Sequence, residues 1–193
     1  TGRKNGAQKS GEDARPTRDV TKWDIFYYVY GLLHHPGYRT KYAANLRREL
    51  PRIPLPKDAA QFWNLSNAGK QLADLHVNYE SAPEYPLDED CPGELNLHVE
   101  KMKLTKDKTA IVYNENMTLR GIPPEAFEYR LGNRSALDWI IDQYQISTDK
   151  RSGIVNDPNR PEEPDYILRL IKRVTTVSLE TVRLVKRIEQ TEL

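Results

Sequence analysis

Three groups of side chains in this sequence are of the right type to bind a polyanion. The first is Lys101, Lys103, Lys106 and Lys108. Residues two apart on an extended strand project from one face, so Lys101 and Lys103 make a narrow basic ridge that Lys106 and Lys108 continue at the following turn. Such a ridge suits phosphate oxygens, and it equally suits a sheet edge that lysines protect from further pairing. The second group is Arg130-Leu-Gly-Asn133-Arg134, where Gly132-Asn133 makes a sharp turn into a helix start. Arginine can give two hydrogen bonds to guanine, and asparagine can pair in the same way with adenine. The turn serves structure alone if Arg134 bonds a neighbouring carboxylate such as Asp138. The third group lies between Ser147 and Arg160, where Lys150, Arg151, Asn156, Asn159 and Arg160 supply donors for phosphates and base edges. Long polar loops inside a domain are often functional, although asparagines and Asp-Pro are also ordinary turn formers.

Groups for catalysis are harder to find. His34 and His35 are adjacent, and neighbours on a helix point about 100° apart, so they do not converge on one ion. His76 and His98 lack cysteine or histidine partners at ligand spacing; helix-end or core roles fit all four better. Cys91 sits among acids, which disfavour its thiolate. Asp138 and Asp142 share a helix face, but general acid–base work needs such groups in a cleft with shifted pKa values. Trp23, Phe26, Tyr27, Tyr28 and Tyr30 resemble a base-stacking platform in composition, yet their spacing around one helix fits core packing better. No P-loop, no Gly-rich S-adenosylmethionine loop, no Asn-Pro-Pro-Tyr adenine-flipping motif and no acidic-plus-Lys nuclease signature is present. The expectation is no catalytic residue, no metal site and no cofactor in this chain.

The elements that must position these groups can be read from periodicity. Residues 1–19 are polar and aperiodic and read as a flexible tail or linker, with an ordered domain over 20–193. Thr21 with Asp24 has the form of a capping box. The helix it opens, from Trp23 to Leu33, is apolar on nearly all sides, which predicts burial. Pro36-Gly37 breaks it. Tyr38, Tyr42, Leu46 and Leu50 repeat every four residues and predict a helix from about Tyr38 to Leu50, ended by the extended segment Pro51-Arg-Ile-Pro-Leu-Pro56. Asp58 and Gln61 can cap a third helix with an inner face of Phe62, Leu65, Gly69, Leu72 and His76. Tyr79 to Gly93 reads as a loop. His98 to Leu104, Thr109 to Tyr113 and Met117 to Leu119 read as strands, with a turn at Asn114-Glu115-Asn116, and Phe127 to Leu131 as one more. Ser135 and Asp138 predict the cap of a helix carrying Leu137, Ile140, Ile141 and Tyr144. A polar loop follows from Ser147 to Pro161. A last helix from about Glu163 bears a long stripe from Ile167 to Val185 and should pack back on the first helix. The class is α+β: N-terminal helices, a small antiparallel hairpin sheet, C-terminal helices.

Charge sums to +1, from 29 Lys and Arg against 28 Asp and Glu, so composition alone does not mark a DNA-binding protein. The charges are segregated, however. Residues from Glu80 to Glu94 carry only acids, while basic charge gathers before Arg52 and again from Lys101 to Lys108. Local fields steer a polyanion more than totals do. A single cysteine and the lack of any membrane-length apolar run lead to the expectation of a cytoplasmic protein.

Five blocks of the sequence resemble, in order, the C-terminal specificity domain of type ISP restriction–modification enzymes. They are Lys22-Trp-Asp-Ile-Phe-Tyr-Tyr-Val-Tyr-Gly-Leu-Leu-His-His-Pro36 with Tyr38-Arg39 and Tyr42-Ala43-Ala44; Glu49-Leu-Pro-Arg-Ile-Pro-Leu55; and Val99-Glu-Lys-Met-Lys-Leu104. The longest runs from Tyr129-Arg-Leu-Gly-Asn-Arg-Ser-Ala-Leu-Asp-Trp139 through Thr148-Asp-Lys-Arg-Ser-Gly-Ile-Val-Asn-Asp-Pro-Asn159, and the last is Val177-Ser-Leu-Glu-Thr-Val182. In that family one polypeptide carries a nuclease, an ATP-driven translocase, a helical connector, an N6-adenine methyltransferase and this domain last. The resemblance implies a module that reads an asymmetric duplex DNA site for a methyltransferase in cis. S-adenosylmethionine, ATP and Mg would then belong to upstream domains. A rival reading makes the chain a docking module on the methyltransferase without base reading.

Overall fold

Two helix starts come from the same local chemistry. Thr21 with Asp24, and Ser135 with Asp138, each form the reciprocal capping box: the hydroxyl accepts from the N–H three residues on, and the carboxylate accepts from the cap's own N–H. The computed structural model describes residues 19–193, so the expected tail lies outside the described residues except for Asp19. Helix α1 (Lys22–His34) stops at His35, and Pro36 does more than break it, because it occupies the first turn of α2 (Pro36–Lys41). Helix α3 (Ala43–Leu46) is a single turn. The continuous helix expected from Tyr38 to Leu50 is therefore two pieces. Tyr42 leaves helical geometry at φ −109°, ψ 18°, and Leu50, meant to complete the stripe, is 88% exposed. The bend lets residues 51–56 cross the buried tyrosines. Tyr28 Oη donates to the Pro54 carbonyl at 2.9 Å and Tyr38 Oη to the Arg52 carbonyl at 2.7 Å, giving partners to an extended segment that has no strand beside it.

Helix α4 (Ala59–Val77) is capped by Asp58, whose carboxylate accepts from Gln61 N, while Gln61 Oε1 accepts from Lys57 N. Its buried face is the expected one, with Phe62, Leu65, Gly69 and Leu72 turned to α1. Burial of α1 on every side is not what the structure has. Trp23, Ile25 and Phe26 are 58%, 52% and 49% exposed. One partner helix covers one face, here Tyr28, Gly31 and Leu32, and the outer aromatic rings stack on each other instead: Phe26 on Tyr30 at 6.2 Å and Trp23 on Tyr27 at 6.3 Å between centroids.

The middle of the chain forms a four-stranded antiparallel sheet of β1 (Asp88–Asp90), β2 (Lys103–Leu104), β3 (Ala110–Val112) and β4 (Thr118–Arg120), in the order β1-β4-β3-β2. The β3–β4 turn is the expected one at Asn114–Asn116, with Asn114 Oδ1 accepting from the N–H groups of Asn116 and Met117. Two expectations change. The stretch from Tyr79 to Gly93 is not all loop, since it holds a 3-10 turn at Tyr79–Ser81 and the edge strand β1. The strand expected from His98 to Leu104 pairs only at its last two residues. Val99 and Met102 are still buried, but the Val99 backbone bonds the Asn159 side chain through both N–H and carbonyl, at 2.9 and 3.0 Å, in place of a neighbouring strand.

Likewise the strand expected from Phe127 to Leu131 is a 3-10 turn at Pro124–Phe127 followed by β5 (Arg130–Leu131), which pairs with β6 (Arg134–Ser135). Helix α5 (Ala136–Gln143) follows at once. The stretch from Ser147 to Pro161 holds a small hairpin of β7 (Ser147–Thr148) and β8 (Val155–Asn156). Helix α6 (Tyr166–Glu189) joins two cores. Tyr166 to Val174 close over Met102, Ile111, Tyr113, Met117, Leu119 and Leu137. Leu184 and Ile188 enter the other core with Tyr28, Leu32, Leu65 and Leu72. The first and last helices thus share one core, with α4 as the main neighbour of α1 and the helix between them. His35 Nε2 lies 2.9 Å from the Thr191 carbonyl, which can only accept, so that nitrogen carries the proton. The class is α+β, with helices at both ends and small antiparallel sheets between.

Candidate nucleic-acid interface

The lysine ridge lies on the β2–β3 hairpin, at the edge of the sheet. Lys103 is exposed on β2, and Lys106 is exposed in the turn; neither has a polar partner among the described residues. Lys108 takes φ +57°, and its ammonium sits 5.6 Å from the centre of the Phe127 ring. Lys101, short of the paired segment, donates to the Ile146 carbonyl at 3.0 Å. The four lysines therefore divide into two that are free and two that hold neighbouring structure.

The β5–β6 turn is built by Gly132, whose φ of +70° a residue with a Cβ rarely adopts. The Arg130 guanidinium folds back on the Asn133 carbonyl. The Asn133 side-chain amide has no partner among the described residues and points from an exposed position. Arg134 bonds a carboxylate, although Asp142 and not Asp138, at 2.9 Å, and its guanidinium lies 5.4 Å from the Trp139 ring centre. Asp138 is occupied by the Ser135 cap. The acid pair on α5 thus caps a helix and pairs an arginine.

In the β7–β8 hairpin, Asp149 Oδ1 accepts from the N–H and the hydroxyl of Ser152 and from Arg151 N, which holds that carboxyl below its usual range and shapes the tip together with Gly153 at φ +73°. Lys150, Arg151 and Asn156 project from this hairpin without side-chain partners among the described residues. Asn159 is engaged with Val99, as above. Arg160 lies flat on Tyr166 at 3.3 Å and pairs with Glu163 at 3.2 Å. The fold draws two of the three groups together. Ile146 N donates to the Glu100 carbonyl beside the Lys101–Ile146 bond, so the β7–β8 hairpin is fastened to the strand that leads into the lysine turn. The β5–β6 turn lies at the opposite end of α5.

The sequence did not reveal a cleft of about 560 Å³ between α1–α2 and the β5–β6 turn. His76 lies in its wall with both nitrogens bonded, to Tyr30 Oη at 2.8 Å and Thr181 Oγ1 at 2.9 Å, and its ring stacks on Tyr129 at 5.2 Å. His34 gives its Nδ1 proton to the Tyr30 carbonyl at 2.8 Å. Burial, then the nearby His34, lowers His76 to about 4; burial, then Arg39, also lowers His34. Burial pushes Tyr129 up to about 12. These are neutral rings that tie α1, α4, α6 and the turn together, and they separate what adjacency in sequence suggested: His34 faces this cleft while His35 reaches Thr191. A histidine with a lowered folded pKa is protonated first in the unfolded chain. Its contribution is therefore whole above pH 6.5 and is lost as pH falls towards 4. Between pH 7 and pH 4.5, urea unfolding is expected to lose about 1–2 kcal/mol from this part-exposed ring. His76→Gln, which keeps hydrogen-bonding capacity but does not titrate, should flatten that dependence. Identical pH profiles for the two proteins would show that His76 does not titrate in this way.

The family model for the type ISP C-terminal specificity domain matches residues 4–170. This chain belongs to that family. A search of the curated proteins finds no match. Among solved structures, the specificity domain is similar to part of a nuclease-deletion mutant of the type ISP restriction–modification enzyme LlaGI, in complex with a DNA substrate mimic. The identity is 42% and the TM-score 0.81, over 92% of this chain and 14% of that one. For the ATP-dependent type ISP enzyme LlaBIII bound to DNA, the values are 41% and 0.81, over 92% and 12%. For DrdV in a DNA complex they are 37% and 0.77, over 90% and 18%. The specificity domain thus spans less than a fifth of each of these proteins.

Within this specificity domain, the sequence-expected contact residues fall into two classes. Lys103, Lys106, Asn133, Lys150, Arg151 and Asn156 present unengaged donors, whereas Lys101, Lys108, Arg130, Arg134, Asn159 and Arg160 are engaged with other parts of the fold. No group of three or more His, Cys, Asp or Glu among the described residues is arranged for a metal ion. No helix among them is long and apolar enough to cross a membrane.

Proposed function

We propose that this specificity domain reads an asymmetric duplex DNA site and directs an N6-adenine methyltransferase carried in the same polypeptide. The carrying observation is its fold likeness, at 37–42% identity, to three proteins whose structures were solved with DNA. S-adenosylmethionine, ATP and Mg would be held by the parts of such a polypeptide that this chain does not represent. Lys103 and Lys106 contact phosphates. Asn133, Arg134, Lys150, Arg151 and Asn156 supply the base contacts. Lys101, Lys108, Arg130, Asn159 and Arg160 hold the presenting loops in shape. The reading is tested by duplex binding across a salt series, because each phosphate contact contributes about 0.9 to the log–log slope. Lys103→Ala with Lys106→Ala should make the slope shallower by up to about 1.8 and weaken all sequences alike. If affinity and slope stay unchanged, the lysines only protect the sheet edge.

The docking reading is favoured by one observation, the exposure of the large apolar side chains Trp23, Ile25 and Phe26 on α1. An exposed apolar patch of this kind suits a protein neighbour better than a polyanion. The two readings differ in salt dependence: steep loss with a preference for one sequence supports reading, and flat, weak binding supports docking alone.

A further inference from the structure

We propose that α2 and the turn after α3 form a second phosphate-gripping surface, in which Arg39, Lys41, Arg47 and Arg48 hold the DNA backbone beside the β5–β6 turn. The inference rests on the DNA-binding reading above and names a surface that the three sequence groups do not include. Its first support is the pattern of ion pairs. Seven of the thirteen described arginines pair with a carboxylate, among them Arg120 with Asp90, Arg169 and Arg173 with Glu84, Arg183 with Glu180 and Arg134 with Asp142; Arg130, Arg151 and Arg187 stand singly without one. Arg39, Lys41, Arg47 and Arg48 are all exposed, and none pairs with a carboxylate among the described residues. No acid lies between Tyr38 and Arg48, and the next one, Glu49, faces Arg52 at 3.7 Å. Four like charges in ten residues with no counter-charge repel each other, and the repulsion is relieved when a polyanion arrives.

The second support is rigidity. The backbone bearing these cations is anchored from below: Tyr38 is buried with its hydroxyl on Arg52, and His35 links the start of α2 to Thr191. Lys41 is steadied over the Tyr42 ring at 5.5 Å. Cations on a fixed scaffold lose less freedom on binding than cations on a mobile loop. The third support is position. Arg39, alone of the four cations, lines the same cleft as Arg130 and Gly132, with Glu128 and Glu189 also in its wall, so α2 and the turn that carries Asn133 and Arg134 border one opening. A duplex whose bases meet that turn runs its backbone past α2.

The test is duplex binding by the 193-residue chain across a salt series, with Arg39→Ala, Lys41→Ala, Arg47→Ala and Arg48→Ala combined. Since the four side chains are exposed, a circular dichroism melt should be unchanged; the milder Arg47→Gln with Arg48→Gln serves if it is not. The expected result is a log–log salt slope shallower by up to about 3.6, or about 1.8 for the Gln pair, and an equal loss on single-base-changed duplexes. If the parent chain binds duplex DNA and the folded variants bind with the same affinity and slope, this surface does not grip DNA, and the base-reading proposal stands. If loss falls on one base pair only, the residues are not phosphate contacts. If the parent chain itself shows no salt-dependent duplex binding while the Lys103 and Lys106 variant is equally silent, both proposals fall together.

Discussion

Gly69→Ala is expected to lower the melting temperature by more than about 6 °C and to detach α1 from α4. In an exposed helix the same change would stabilise by up to about 1 kcal/mol, because alanine is the better helix former. Here the helices cross so closely that a Cβ on Gly69 would overlap the Tyr27 carbonyl and lie 2.7 Å from Gly31 N. A Cβ on Gly31 would run into the Leu65 carbonyl and lie 3.2 Å from Gly69 N. Backbone cannot turn aside as a side chain can, so the helices must separate, and the contacts of Tyr28, Leu32, Phe62 and Leu65 weaken together. Overpacking commonly costs 1–3 kcal/mol; overlap with backbone on both helices places this case at about 3 kcal/mol or more. For a chain of this size each kcal/mol is roughly 2–4 °C. Calorimetry on Gly69→Ala and Gly31→Ala reads the outcome directly. Propensity and packing predict opposite signs, so a melting temperature that holds or rises would mean that the crossing is looser than described.

The largest effect on recognition should come from Arg134→Ala. A bidentate arginine contact to guanine is worth roughly 1–3 kcal/mol of discrimination, or about 5- to 150-fold between bases. The same substitution should leave the fold nearly untouched. The Arg134–Asp142 pair is about half exposed, at 46% and 50%, and a pair of that kind contributes about 0–1 kcal/mol. Arg134 must leave Asp142 to reach a base, so Asp142→Asn, which removes the competing charge, should bind its preferred duplex at least as well as the parent. Arg151→Ala, at a tip where the side chain has no partner, tests the β7–β8 hairpin in the same panel. Binding to single-base-changed duplexes alongside a melting curve decides the matter. Preference relaxed at one base pair with a normal melt supports reading. Uniform loss with a lowered melt would make Arg134 a strut for the Trp139–Asp142 side of α5.

Much of this fold was legible because its signals are local. Both capping boxes, the Asp58 cap, the inner face of α4, the β3–β4 hairpin and the stripe of α6 depend on residues within a few positions of each other. What failed to show depends on distant partners. The paired segments β1, β7 and β8 are two or three residues long, too short for an alternation pattern. Val99 kept its strand-like burial but lost its strand pairing because Asn159, sixty residues on, bonds its backbone. Leu50 matched the stripe of Tyr38, Tyr42 and Leu46 by spacing alone, and the bend at Tyr42 carried it into solvent. The outer face of α1 is as apolar as the inner one, and composition gave no sign that α4 would cover only one.

The candidate site divides along the same line. Sequence determined which segments turn: Gly132 and Gly153 sit where φ is positive, and the loops around them carry the arginines, lysines and asparagines. It also determined the charge inventory, acidic from Glu80 to Glu94 and basic on either side. Only the tertiary structure decided which of those charges remain available. The acidic stretch lies along α6, where Arg169 and Arg173 meet Glu84 and Lys172 meets Glu89, while Arg120 on β4 meets Asp90. The Arg169 and Lys172 pairs join residues 85 and 83 positions apart. The physical reason is that Coulomb attraction depends on distance in space, which falls to a few ångströms across such pairs while their separation along the chain spans half a domain. Once the acids are matched to α6 and β4, the cations of α2 and the turn after α3, of the β2–β3 turn and of the β7–β8 tip are left without an ion-pair partner among the described residues, Asp107 and Asp149 being turned to hydroxyls and N–H groups of their own loops.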